Sequence, residues 1–139
     1  MVAVLLVTHG DLAKSLLSSA ALIMGEAPLI ESQGLYHGDN VDDLKETIKN
    51  AVLRLYEQSK GDGVLILTDL FGGSPSNATA RALHELGSQV KAECITGVNL
   101  PILLEASTSK NFMKMDELIK HSIEVGGQSI VSLRDQLEI

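Results

Sequence analysis

His9 and Asp69 are the two residues of this chain whose types and settings could do chemistry together. His9 lies in VAVLLVTHG, Val2 to Gly10, an unbroken apolar run that ends in a Thr-His-Gly turn. Asp69 ends a second such run, VLILTDL from Val64 to Leu70, at the same position in the local pattern. The unperturbed pKa of histidine makes it both nucleophile and proton carrier near neutral pH. A carboxylate that accepts the proton of one ring nitrogen fixes the tautomer and leaves the other lone pair free. It also stabilises the cation formed on attack. No serine or cysteine adjoins His9, so the imidazole itself is the candidate attacking group. Beyond Asp69, in Gly72-Gly73-Ser74-Pro75, Ser74 suits an N-cap and Pro75 the first helical position. Such a helix start would aim free N–H groups into a shared crevice, and Gly72 and Gly73 would let backbone approach closely. That arrangement suits a phosphoryl group. The chemistry is reversible phosphorylation of His9, on condition that the two strands are neighbours.

Elements of both kinds must position these residues. Val2 to Thr8 reads as a central parallel strand covered on both faces. Leu12, Leu16, Leu17, Ala20, Ala21 and Ile23 then recur at helical spacing over Asp11 to Met24, with Gly25 as a stop. Leu29 to Tyr36 is a weaker strand, interrupted by Gly34, nearer a sheet edge. Asn40 offers an N-cap for the stripe Val41, Leu44, Ile48, Ala51, Val52 and Leu55. Val64 to Leu70 is the third strand, and a helix follows from Ser74 to about Leu86. Gln89 to Thr96 is a fourth strand, and Gly97-Val98-Asn99-Leu100-Pro101 opens another helix. A last helix, Met115 to about Val125, is expected to stop at Gly126-Gly127, leaving Ser129 to Leu133 as a short fifth strand. Alternating β and α units predict one α/β domain over residues 1–139, a doubly wound and mostly parallel sheet. In such sheets sites form beyond the carboxyl ends of strands, where strand order reverses. With the order 2-1-3-4 the crevice opens between His9 and Asp69. Thr8, Thr68, Phe71 and Asn99 are candidate lining residues, and Leu70, Leu100 and Ile102 candidate rim contacts.

Composition narrows the classes. The 139 residues are 45% hydrophobic but only 3% aromatic, so the core must be aliphatic. A net charge of -7 without a basic cluster argues against nucleic acid and anionic lipid as partners. The lone Cys94 cannot form an internal disulfide and reads as a buried, inert thiol. No segment is long and apolar enough to insert in a membrane, and the first residues lack the features of a signal peptide. A cytoplasmic protein is expected. His37, His84 and His121 sit among polar neighbours with no metal-ligand spacing, so neither metal nor cofactor is expected. Plainer readings stand beside the chemical ones. His9 could be a solvated turn residue, Asp69 an Asx-turn former and Ser74 only a cap.

Three motifs carry a family resemblance. THG after the first strand, TDLFGGSPSNA after the third and TGVNLP after the fourth appear in order through essentially the whole chain. Together they resemble the IIA component of the mannose-family (mannose/fructose/sorbose) sugar phosphotransferase system. The resemblance implies that His9 takes phosphate from the phosphorylated carrier HPr and passes it to a IIB partner, with Asp69 orienting it. Gly72, Gly73 and Ser74 would lie near the phosphoryl group. It also implies a homodimer that exchanges a C-terminal antiparallel strand, for which Ser129 to Leu133 is the candidate. The rival within the family is a IIA-like donor domain serving a dihydroxyacetone kinase. Outside it, the rival is a non-catalytic small-molecule binding module of flavodoxin-like fold. A histidine phosphatase would want arginine where Thr8 stands, and a receiver domain would want acids in place of His9.

Overall fold

Ala3, Leu5 and Val7 face one side of the central strand while Val4 and Leu6 face the other, and none of the five is more than 2% exposed. That is why the first run is apolar without alternation. This strand, β1, spans Ala3–His9 in a computed structural model that describes residues 1–139. Helix α1 (Leu12–Met24) leads to β2 (Ile30–Leu35) and α2 (Val41–Gln58) to β3 (Val64–Thr68). Helix α3 (Ser74–Leu86) and a 3-10 turn over Gly87–Gln89 lead to β4 (Ala92–Thr96). The remainder is helical: α4 (Leu100–Ser109), α5 (Met115–Gln128) and α6 (Leu133–Leu137).

The four strands are all parallel, in the order β2-β1-β3-β4. Val4, Leu6, Leu65 and Leu67 pack with Ala13 and Ala20 of α1, Leu103 and Ala106 of α4, and Leu118 of α5. On the opposite face Leu5, Val7 and Ile66 meet Ile48, Val52 and Leu55 of α2 and Ala78 and Ala82 of α3. Each such leucine or isoleucine stabilises the fold by roughly 1.5–3 kcal/mol relative to an exposed one. The helix after β1 and the helix after β3 therefore cover opposite faces of neighbouring strands. The point where strand order reverses thus falls between β1 and β3, at the carboxyl ends that carry His9 and Asp69. In the ladder Val7 pairs with Thr68, so His9 and Asp69 emerge side by side just beyond the shared rungs.

Three local expectations need correction. Ser129 to Leu133 is not a strand in this chain. Ser129 caps α5, and Leu133–Leu137 forms a short helix whose Ser132 hydroxyl accepts from the Asp135 N–H at 3.5 Å. Strand geometry needs ladder partners, and within a single chain this segment pairs with no strand of the sheet. The fourth strand starts later than Gln89 because Gly87–Gln89 turns as a 3-10 helix.

The third correction concerns α5, which runs through Gly126-Gly127 to Gln128. Gly126 is buried, and a Cβ there would lie 2.2 Å from Ile102 Cγ1. The glycine serves close helix packing against α4. Gly127 is exposed and a Cβ there meets nothing within 4 Å. Alanine at the two positions is expected to act with opposite sign. Gly126→Ala should destabilise by about 1–3 kcal/mol through overpacking. Gly127→Ala should stabilise by about 0.5–1 kcal/mol through helix propensity. Urea unfolding of the two variants measures both, and stabilisation by Gly126→Ala would refute the packing role.

Candidate functional site

The site is built from two strand ends and one helix start. β1 delivers His9, whose ring stays about half exposed, and β3 delivers Asp69, whose side chain is 13% exposed. Asp69 Oδ2 stands 2.8 Å from His9 Nδ1 and accepts the His9 backbone N–H at 3.1 Å. One carboxylate oxygen thus holds both the ring and the main chain of the same residue. Nδ1 is the donor in this pair, which leaves Nε2 as the bare ring nitrogen. Burial on its own raises the pKa of Asp69, but the His9 ring and backbone hydrogen bonds and the His9 charge outweigh it. The net value lies below the ordinary one, so the carboxylate stays ionised. The other oxygen, Oδ1, is buried and has no hydrogen-bond partner.

The loop after β3 forms the floor. Gly73 N–H donates to Leu70 O at 3.1 Å, closing a turn in which Gly72 takes φ +82. That positive φ is the value a type II turn requires at its third position, and glycine supplies it without strain. Gly73 is glycine for another reason. Its φ of -75 suits any residue, but a Cβ would lie 2.8 Å from His9 Cε1 and 3.5 Å from Nε2. The imidazole rests directly on its backbone. Gly73 is also the N-cap of α3, accepting from Asn77 N–H at 2.9 Å. Ser74 is therefore the first helical residue and not the cap, and Pro75 is the second. The cap position is filled by contact with His9, which only glycine permits. Ser74 and Ser76 N–H groups at this start have no partner within the helix, and they complement negative charge there.

Thr8 and Thr68, offered by the sequence as lining residues, are both fully buried. Thr8 Oγ1 accepts the Ala13 N–H at 2.7 Å, so it caps α1 from the end of β1. Thr68 Oγ1 meets Ser76 Oγ at 2.8 Å, and Ser76 Oγ donates to Leu70 O at 2.7 Å. These bonds brace the loop that carries Asp69 and Gly73. Ser76 was not singled out from the sequence; its signal was a hydroxyl in the first helical turn after a strand-ending threonine. Phe71 and Leu70 are exposed on the loop, whereas Ile102 is only 5% exposed and belongs to the core. Asn99 caps α4 through Ile102 N–H at 2.9 Å and donates to Gly126 O at 3.2 Å. Its amide is thus occupied within the fold. Gly34 lets β2 pass close to the site: a Cβ would lie 2.4 Å from Gly10 O.

The remaining chemical side chains lie elsewhere. Burial pushes the Cys94 thiol up to about 11 despite its contact with Thr68, so it is unreactive at neutral pH. His37 and His84 are exposed, and His121 Nε2 pairs with Glu105 Oε1 at 2.5 Å. No helix is long and apolar enough to cross a membrane.

Fold and site together define an open parallel α/β protein with a carboxylate-held histidine at the point where strand order reverses. Residues 3–123 match the family model described as the fructose IIA component of the PTS, the phosphotransferase system. The chain is 30% identical to the "PTS system fructose-specific EIIA component" of Bacillus subtilis (strain 168), over 99% of this chain and 90% of that protein. It is 33% identical to the "PTS system mannose-specific EIIAB component" of Escherichia coli (strain K12), over 96% of this chain but 40% of that longer protein. The crystal structure of phosphotransferase system component EIIA from Streptococcus agalactiae superposes with a TM-score of 0.86 at 27% identity. That match covers 97% of this chain and 99% of the other. The chain belongs to the mannose family of phosphotransferase-system IIA components.

Proposed function

We propose that the chain is a single IIA domain that relays phosphate through His9 in sugar uptake, accepting it from phospho-HPr and donating it to a IIB component. The observation that carries this reading is the 2.8 Å contact between His9 Nδ1 and Asp69 Oδ2, which leaves Nε2 free on a half-exposed ring. In the first step the Nε2 lone pair attacks the phosphorus of the phosphorylated HPr histidine. The donor's P–N bond breaks and its electron pair returns to the donor imidazole. The new P–N bond at Nε2 leaves positive charge on the ring, and the Nδ1 proton stays on its hydrogen bond to Asp69. The Asp69 carboxylate offsets that charge. The unpartnered N–H groups of Ser74 and Ser76 complement the phosphoryl oxygens. Donation to IIB runs the same chemistry in reverse, with an acceptor nucleophile in place of HPr.

The protein works as a cytoplasmic homodimer on this reading. The exposed apolar residues Ile130, Val131, Leu133 and Leu137 near the C-terminus are the surface that a second copy would cover. No metal or cofactor enters the transfer. The test is incubation with phosphoenolpyruvate, enzyme I and HPr, followed by intact-mass and peptide analysis. One phosphate per chain, labile to acid and stable to base, is expected on the peptide containing His9. An acid-stable adduct, or label elsewhere, would overturn the assignment.

A further inference from the structure

The end of the sheet opposite the histidine holds the strongest unexplained concentration of charge. Met1 and Val2 enter β1, Gly61 and Asp62 enter β3, Lys91 enters β4, and residues 110–115 connect α4 to α5. Together they line a cavity of about 350 Å³. Three lysines line it, Lys91, Lys110 and Lys114, in a chain with only 11 Lys and Arg and a net charge of -7. Asp62 is the one carboxylate in the lining, and it is committed to the N-terminal ammonium at 2.5 Å. None of the three lysines makes an ion pair. Asp116 and Glu117 follow on the first turn of α5 but do not line the cavity.

Lys110 is the anomaly. It is 1% exposed, and its ammonium meets only the Met1 thioether sulfur at 3.0 Å. Sulfur is a weak acceptor, and an ammonium taken from water without an anion costs several kcal/mol. The α5 start lies in the same wall: Lys114 is its N-cap and supplies no side-chain cap, so the first-turn N–H groups add positive potential. Lys91 and Lys114 are exposed and could close over an entering group. Burial also holds the Lys110 pKa below the ordinary lysine value, as expected where compensating charge is missing.

The geometry points to an anion site at the amino ends of β1, β3 and β4 that takes a small phosphate-bearing molecule. Lysine ammoniums are point-charge ligands for phosphate, and three of them around one cavity match a dianion better than a monovalent carboxylate. The volume accommodates a phosphate together with a short organic portion. The site lies at the other end of the sheet from Nε2 of His9 and does not depend on phosphotransfer there.

Calorimetric titration of the full chain at low ionic strength tests it, with inorganic phosphate and glycerol 3-phosphate as probes. Saturable binding of one equivalent is expected. Lys91→Gln with Lys114→Gln should weaken it at least about tenfold, equivalent to 1.4 kcal/mol. Lys110→Met should weaken it as much while folding at least as stably as the parent, since a near-isosteric apolar chain replaces an unpaired charge. His9→Ala should bind as the parent does. Equal affinity for the two probes assigns the site to the phosphate group alone, and tighter binding of the ester adds an organic contact. Absence of saturable binding, binding unchanged in the lysine variants, or binding lost with His9→Ala would each overturn the site.

Discussion

Phosphoryl transfer through Asp69→Asn is expected to fall by on the order of 10²- to 10⁴-fold, the range in which losing an orienting carboxylate places a histidine catalyst. The geometry gives the amide two poses and neither serves. With its oxygen in the place of Oδ2 it can still accept from Nδ1 and the His9 N–H. Its NH₂ then occupies the position of Oδ1, which is buried without a partner, and no negative charge remains to offset the ring cation. With its NH₂ toward His9 it meets the backbone N–H as donor against donor. It then favours the ring tautomer that protonates Nε2, the nitrogen that must attack. Rapid-quench transfer from phospho-HPr measures the loss, and rates within about threefold of the parent would reduce Asp69 to a loop former.

The same carboxylate has a pH signature. Its folded pKa lies below the unfolded value of about 3.9. Its contribution to stability is therefore fully present above that value and is lost as pH falls through the folded pKa. Asp69→Asn should accordingly flatten the acid limb of the stability profile and leave the neutral limb parallel to the parent.

Gly73→Ala is expected to be the second most damaging change, with transfer slowed on the order of 10²-fold by displacement of the ring. The backbone at Gly73 has φ -75 and ψ 164, which alanine adopts freely, so folding should survive with a loss of about 1 kcal/mol or less at the helix cap. What alanine cannot avoid is the imidazole, because its Cβ would stand 2.8 Å from His9 Cε1. Either the ring tilts away and strains the 2.8 Å contact with Asp69, or the start of α3 recedes with its free N–H groups. An NMR signal for the Nδ1 proton separates the two, since only the first outcome weakens it. Unchanged transfer would show that the ring has room it lacks in this structure.

The parts of this architecture legible from sequence were those dictated by burial on both faces. β1 and β3 are uninterrupted aliphatic runs because neighbouring residues point into two different cores, and their polar ends mark where the sheet stops. Given the strand order 2-1-3-4 as an assumption, those two strand ends placed His9 and Asp69 side by side. Parts set by a particular contact were not legible. Gly73 reads as a residue that lets backbone approach a phosphoryl group closely, and its place is a helix cap that leaves room for the His9 ring. Gly126 reads as a helix stop and is a notch for Ile102. Thr8 and Thr68 read as polar residues near a site, yet their hydroxyls are buried in helix starts. The C-terminal segment, Ser129 to Leu133, suits a short strand by composition, but within one chain it pairs with neither edge strand, β2 or β4.

The half-exposed ring with one free nitrogen also fixes the order of events. One Nε2 can face only one phosphorus at a time, and it stands at the end of β1, held by Asp69 from a loop that Thr68 and Ser76 brace. In the proposed relay, donor and acceptor would then use the same face in succession, with no complex of all three proteins on the route. If the proposed relay through His9 holds, steady-state turnover is expected to be ping-pong: reciprocal plots at several acceptor concentrations should run parallel, and excess unphosphorylated acceptor should slow the cycle by occupying the donor's place.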